Sequence, residues 1–179
     1  KLDVRAVRGP NTKRMLESIG YTVPEVYGDP AILLPLFYQP KVGNPKKEYI
    51  VIPHWKKTQD YDSKKYPVLS TLTSDWQHFI DEIASSKLLL SASLHGIIIA
   101  HAYGIPAVWQ KFSDKVFGDD IKYQDYFESV QIPYYNPEIR VSPFTAAEME
   151  NLFVHLPSLP QKENVEKLCD GLMEVCPFK

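Results

Sequence analysis

Cysteine is scarce in this chain: Cys169 and Cys176 are the two among 179 residues. With no CxxC pair and no Cys/His cluster, the sequence points to no metal. A spacing of seven on one continuous helix sets the two thiols about 10 Å apart, too far for a disulfide, so reduced structural thiols are expected. Charge of one sign is lacking as well. Lys and Arg number 20 against 22 Asp and Glu, a formal net charge of −2, which leaves no footprint for nucleic acid or for an anionic membrane. Nor is there a long hydrophobic run. The most apolar stretch, residues 88–109, is broken by His95, Gly96, His101, Gly104 and Pro106, so a membrane span is not expected. No basic-plus-apolar leader opens the sequence, and a cytoplasmic location is the resulting expectation. Repeats, low-complexity tracts and inter-domain linkers are also missing. A single domain over residues 1–179 follows, a length at which roughly 70% of the unfolded surface can be buried.

What is present is organised around Ser93-Leu94-His95-Gly96. Residues 87–91 carry Leu88-Leu89-Leu90, apolar on both faces as an inner parallel strand requires. Ser93 then serves as N-cap of a helix over 94–103 that Gly104 stops, with Pro106 just beyond. His95 falls in its first turn, where unpaired N–H groups and the helix dipole favour carboxylate or phosphate.

The rest of the chain repeats that alternation. Leu2, Val4 and Ala6 suit a half-buried strand, and Gly9-Pro10 opens a helix over 10–19 with Met15, Leu16 and Ile19 as its apolar face. Residues 21–37 read as loop with one short helical turn, and 48–53 and 68–72 as strands. A helix capped by Ser74 runs to 85, with Trp76, Phe79, Ile80 and Ile83 at helical spacing. The last strand is 107–110, a mobile loop covers 110–120, and helices are expected over 122–130, 145–156 and 162–175. The fold class is α/β, a Rossmann-like open parallel sheet with helices on both faces. Ligands of such sheets gather at the C-terminal strand ends, where Arg8, His54 and His95 all fall.

Residues 93–106, Ser-Leu-His-Gly-Ile-Ile-Ile-Ala-His-Ala-Tyr-Gly-Ile-Pro, resemble the signature of the polysaccharide pyruvyl transferase family. Val7-Arg8-Gly9-Pro10-Asn11-Thr12 and Gly28-Asp29-Pro30-Ala31 agree with it in the expected order. Ile52-Pro53-His54 is a weaker match, and 122–127 is compatible. The resemblance implies the C-terminal half of a GT-B-type fold with the N-terminal half absent. It also implies an enzyme that transfers a pyruvate ketal from phosphoenolpyruvate to a sugar of an exopolysaccharide or capsular polysaccharide, with no cofactor. Some family members have Arg where Ser93 stands, which removes one cationic contact that Lys111, Lys115 or Lys122 would have to replace.

On that reading His95 is the catalytic acid or phosphate clamp, since the donor's methylene carbon must gain a proton. The helix start disfavours an imidazolium and a bound phosphate favours one, so proton uptake should accompany donor binding. The substrate-binding set is Arg8, His54, Ser93, Leu94, Gly96 and Trp109: a guanidinium, backbone donors and, in Trp109, a flat face for sugar stacking that Trp55, Tyr123 and Tyr126 also offer. Bland alternatives stand beside each. Arg8 suits a surface ion pair, His95 a buried imidazole on a carbonyl, His54 plain loop chemistry, and Ser93 a cap alone. Asp29 reads as a turn former, His101 as packing, and His78 and His155 carry no pattern. Two further functions remain open. One is a GT-B nucleotide-sugar glycosyltransferase, although no diphosphate-binding glycine loop stands out. The other is a non-catalytic half-domain that binds sugars or anions, whose exposed cleft face self-association into a homo-oligomer would cover.

Overall fold

A computed structural model describes residues 2–42, 46–54, 66–112, 120–140 and 144–178. Three short strands, β1 (Ile50–Ile52), β2 (Leu89–Ser91) and β3 (Ala107–Trp109), form an open parallel sheet in the order β1-β2-β3. The register aligns Ile50, Leu89 and Ala107, so side chains alternate between the two faces in step. Ile50, Ile52, Leu89, Ala107 and Trp109 enter one core with α2 (Trp76–Ala84), α3 (Leu94–Ala102), α4 (Ile121–Ser129) and α6 (Lys162–Val175). Val51, Leu90 and Val108 enter a second core with Phe112 and with Met149, Leu152 and Phe153 of α5 (Ala146–His155). Helices therefore cover both faces, as the uninterrupted apolar strands require.

Local signals place most elements. Ser93 caps α3 through a bond from the Gly96 N–H, and Gly104 leaves it at φ +70°. Thr145 and Glu148 form a reciprocal capping box at α5, where the Thr145 N–H and then Arg140 hold the Glu148 carboxyl down at about 2. In α2 the cap is Asp75 rather than Ser74, because the Asp75 carboxylate accepts from the His78 N–H at 2.9 Å. The short turn expected within 21–37 is a 3-10 helix, Pro30–Leu36, capped by Asp29. Both thiols are free, as spacing implied.

Two expected strands shrink to single bridges. Val7 pairs only with Tyr27, since Gly28, at φ +134°, turns its neighbour away into the 3-10 helix. Val68 pairs only with Val51. Beyond it the Ser70 and Thr73 hydroxyls take the N–H groups of Leu72 and Asp75, diverting the backbone into turns. The helix over 10–19 forms as α1 (Pro10–Ser18), but its expected apolar face is not buried: Met15 and Ile19 are 59% and 66% exposed. α1 docks on α4 by its polar N-terminal end instead. Residues 113–119 of the expected loop, with Lys115, and the segment 55–65, with Trp55, lie outside the described residues.

His101 is core, as its offset from His95 implied. Its Nδ1 lies 2.9 Å from the Tyr126 hydroxyl and its Nε2 3.1 Å from the Ser158 carbonyl oxygen, tying α3 to α4 and to the chain before α6. Burial lowers its pKa from the ordinary 6.5 to about 4. A pKa lowered by folding means that the unfolded chain binds the proton first. The His101 contribution is thus complete above about pH 6.5 and is lost as pH falls towards 4, by about 3 kcal/mol at the acid end. Urea denaturation between pH 7 and 4 should show that loss, and His101→Gln should flatten the acid limb.

Candidate functional site

Two helix N-termini of different condition carry the candidate residues: α1 follows the isolated Val7–Tyr27 bridge, and α3 follows β2. At α1 the N-cap is Gly9, which has no side chain to cap with. Asp125 of α4 supplies the missing acceptor from across the fold. Its Oδ1 accepts from the N–H groups of Asn11 (2.8 Å) and Thr12 (3.1 Å), and its Oδ2 from the Thr12 hydroxyl at 2.5 Å. The natural anion site of α1 is thereby filled by a carboxylate of the chain itself. Gly9 makes that possible: a Cβ there would stand 2.0 Å from the Asp125 carbonyl oxygen.

Arg8 follows the Val7 bridge and faces the same carboxylate, its Nε 3.8 Å from Asp125 Oδ2. Asp125 is only 2% exposed and is already committed to α1, while the Arg8 side chain remains 32% exposed. The Arg8 Nε is buried without a hydrogen-bond partner. The ion pair is therefore not the surface pair of the bland reading, and it leaves donor capacity of the guanidinium unspent.

At α3, among the described residues, no carboxylate fills the N-terminus. Ser91 Oγ accepts from Ser93 N–H at 2.9 Å and Ser93 Oγ from Gly96 N–H at 3.4 Å. Among the described residues nothing bonds to the N–H groups of Leu94 and His95. Gly96 itself is there for packing, since a Cβ would meet Ser91 Oγ at 2.8 Å and Ile52 Cδ1 at 2.9 Å. The Leu94 side chain is core, which leaves its backbone N–H as the group it can offer a ligand. The His95 ring is 66% exposed, so it is not the buried imidazole of the bland reading.

The His95 Nε2 lies 3.7 Å from Oδ2 of Asp29, whose other oxygen accepts from the Ala31 N–H. Asp29 follows Gly28, and the Gly28 N–H donates to the carbonyls of Val7 and Arg8 at 3.0 and 3.2 Å. Backbone bonds from Gly28 to Val7 and Arg8, and the 3.7 Å contact of Asp29 with His95, thus connect Arg8, Asp29 and His95. His54 lies half-buried two residues past β1.

Trp109 departs from expectation. It is 1% exposed, stacked on Tyr123 at 4.1 Å between centroids, and cannot act as a sugar platform. Tyr123 and Tyr126 are equally buried, their hydroxyls bonded to the Ala92 carbonyl and to His101. β3 has both faces covered, so an aromatic at its end packs inward. Lys111 pairs with Asp120 and bonds Asn136, and Lys122 lies over the Tyr123 ring at 5.2 Å. Two residues escaped the sequence reading in these roles, Asp125 and the Asp29 partner of His95. The signal for Asp125 is an acid between Tyr123 and Tyr126-Phe127, on a helix stretch otherwise destined for the core.

A parallel α/β sheet with an exposed imidazole past the end of one strand, at a helix N-terminus that no carboxylate fills among the described residues, and a guanidinium with unspent donors at a second helix start, has the features of α/β proteins that hold anionic ligands at such ends. The family model for polysaccharide pyruvyl transferase matches residues 1–109, and the chain belongs to that family. A protein of Acanthamoeba polyphaga mimivirus, described as uncharacterized, is 36% identical over 132 residues, covering 67% of this chain and 45% of the relative. The chain thus spans less than half the length of that relative. No solved structure matches it. The match includes Arg8, Asp29, His54, Ser93 and His95, whereas Asp125 lies beyond it.

Proposed function

We propose that this chain forms the donor side of a pyruvyl transferase that uses phosphoenolpyruvate to build a pyruvate ketal on a sugar of an exopolysaccharide or capsular polysaccharide, in the cytoplasm. The observation that carries the reading is the Arg8 guanidinium, ion-paired with Asp125 yet with its Nε free of any hydrogen bond, and connected through Gly28-Asp29 to His95 at the α3 N-terminus. Phosphoenolpyruvate carries two anionic groups. The phosphate suits the Leu94 and His95 N–H groups and the carboxylate suits the planar fork of Arg8. Ser93 contributes by capping, and His54 stands at the neighbouring strand end.

In the reaction the imidazolium of His95 gives its proton to the methylene carbon, forming a C–H bond and leaving positive charge on the central carbon. A sugar hydroxyl oxygen attacks that carbon and releases its proton. The bond to the phosphate oxygen then breaks, inorganic phosphate leaves, and a second hydroxyl closes the ketal. A second, GT-B-type half supplies the acceptor site and excludes water, which makes this chain a donor-binding half.

Titration calorimetry tests the donor assignment. Phosphoenolpyruvate should bind the chain, and Arg8→Ala and His95→Ala should each weaken it by about tenfold or more, the size expected for one charge-assisted contact. Uptake of a proton by His95 on donor binding should appear in its ring nitrogen shifts. Equal affinity in all three proteins, no binding at all, or binding of a nucleotide sugar in place of phosphoenolpyruvate would overturn the reading.

A further inference from the structure

We infer that Asp29 is the positioning residue of His95: its carboxylate, 3.7 Å from Nε2 and beyond hydrogen-bond distance, draws the ring N–H to the Nε2 side by charge and so leaves Nδ1 as the nitrogen that faces the donor. This rests on the donor reading above. Asp29 is fixed on three sides. Its Oδ1 is spent on the Ala31 N–H at 3.1 Å, where it caps the 3-10 helix, and that helix packs along α3. Gly28 before it is pressed against α6, where a Cβ would stand 2.8 Å from Leu172 Cδ1. With its side chain only 15% exposed, Asp29 has one oxygen left, and that oxygen is the one 3.7 Å from His95 Nε2. His95, by contrast, is exposed at the start of α3, and among the described residues no other side chain pairs with its ring.

The chemistry follows from which nitrogen the carboxylate lies beside. When the imidazolium gives the Nδ1 proton to the methylene carbon, the neutral ring that remains carries its proton on Nε2. That tautomer is the one a carboxylate beside Nε2 stabilises, because it turns the N–H dipole towards the negative charge. Asp29 thereby favours both the orientation of the acid and the form it leaves behind, without touching the donor.

Asp29→Asn separates this role from the structural one. The amide oxygen of the substituted side chain takes over the cap on the Ala31 N–H, so the fold is kept, and thermal unfolding verifies it. The amide nitrogen then turns its N–H groups towards His95, which favours an unprotonated Nε2. In the ligand-free protein, at a pH where the ring is neutral, nitrogen-15 shifts should place the His95 proton on Nε2 in the native chain and on Nδ1 in D29N. With phosphoenolpyruvate, D29N should weaken binding by about tenfold, a coupling ordinary for groups in contact, and should add nothing in an H95A background. An unchanged tautomer in D29N, or additive losses in the double variant, would overturn the inference. If the native chain binds no phosphoenolpyruvate while the tautomer flips, the donor reading fails and the Asp29–His95 pairing stands. An Asp29→Ala variant that loses both the cap and the tautomer bias gives the same comparison without an introduced donor.

Discussion

Gly9→Ala should destabilise the protein by about 3 kcal/mol or more, although Gly9 has an ordinary extended φ of −166° that any residue adopts. The cause is space alone. A methyl group at this position would sit 2.0 Å from the Asp125 carbonyl oxygen and 2.6 Å from its Oδ1, and the first of these is backbone in a buried helix. α4 would have to retreat, and retreat breaks the bonds from Asn11 N, Thr12 N and the Thr12 hydroxyl to Asp125. Three donors at the α1 N-terminus then lose their acceptor, and the Arg8 charge loses its partner. Gly20 offers the contrast. It has φ +89° and nothing within 4 Å, so Gly20→Ala should cost only about 1 kcal/mol of backbone strain. Denaturant midpoints for the two variants give the comparison, and equal midpoints would refute a steric joint at Gly9.

Trp109→Ala should cost about 3–5 kcal/mol, the range for removing a large core aromatic. The ring is stacked on Tyr123 and has Phe127, Tyr134 and Tyr135 around it, at centroid distances of 6.4, 6.1 and 6.1 Å. Its backbone N–H donates to the Tyr135 hydroxyl at 2.7 Å, a bond the substitution leaves in place only if Tyr135 keeps its seat. Trp109→Phe should recover much of the loss by keeping a ring on Tyr123. Equilibrium unfolding with near-ultraviolet circular dichroism reads both variants. A Trp109→Ala protein of native stability would return the residue to the surface role that the sequence alone allows.

The elements that were legible in the sequence share one property: their signals are short-range. Pro10 and Gly9 open α1, Ser93 and Gly104 bracket α3, and the Thr145-Glu148 pair opens α5, each within a few residues of the feature it marks. The apolar run Leu88-Leu89-Leu90 announced a strand buried on both faces, and the two cores on either side of β2 show why. The strand end that bears His95 was readable from the same pattern. Pairing was less so. The alternation at Leu2, Val4 and Ala6 is a valid strand pattern, yet a strand also needs a neighbour, and the neighbour turns away at Gly28.

By itself, then, the amino-acid order determined the helix starts and stops, the parallel α/β class, the placing of His95 past the end of β2 and that of Arg8 just before a helix start, though after a single bridge rather than a strand. Only the tertiary structure decided that Asp125, 114 positions from Asn11, fills the α1 N-terminus, that Asp29 meets His95, and that Trp109 points into the core. Caps and periodicity depend on neighbours within a turn or two, whereas these contacts depend on which distant segments the closed chain brings together.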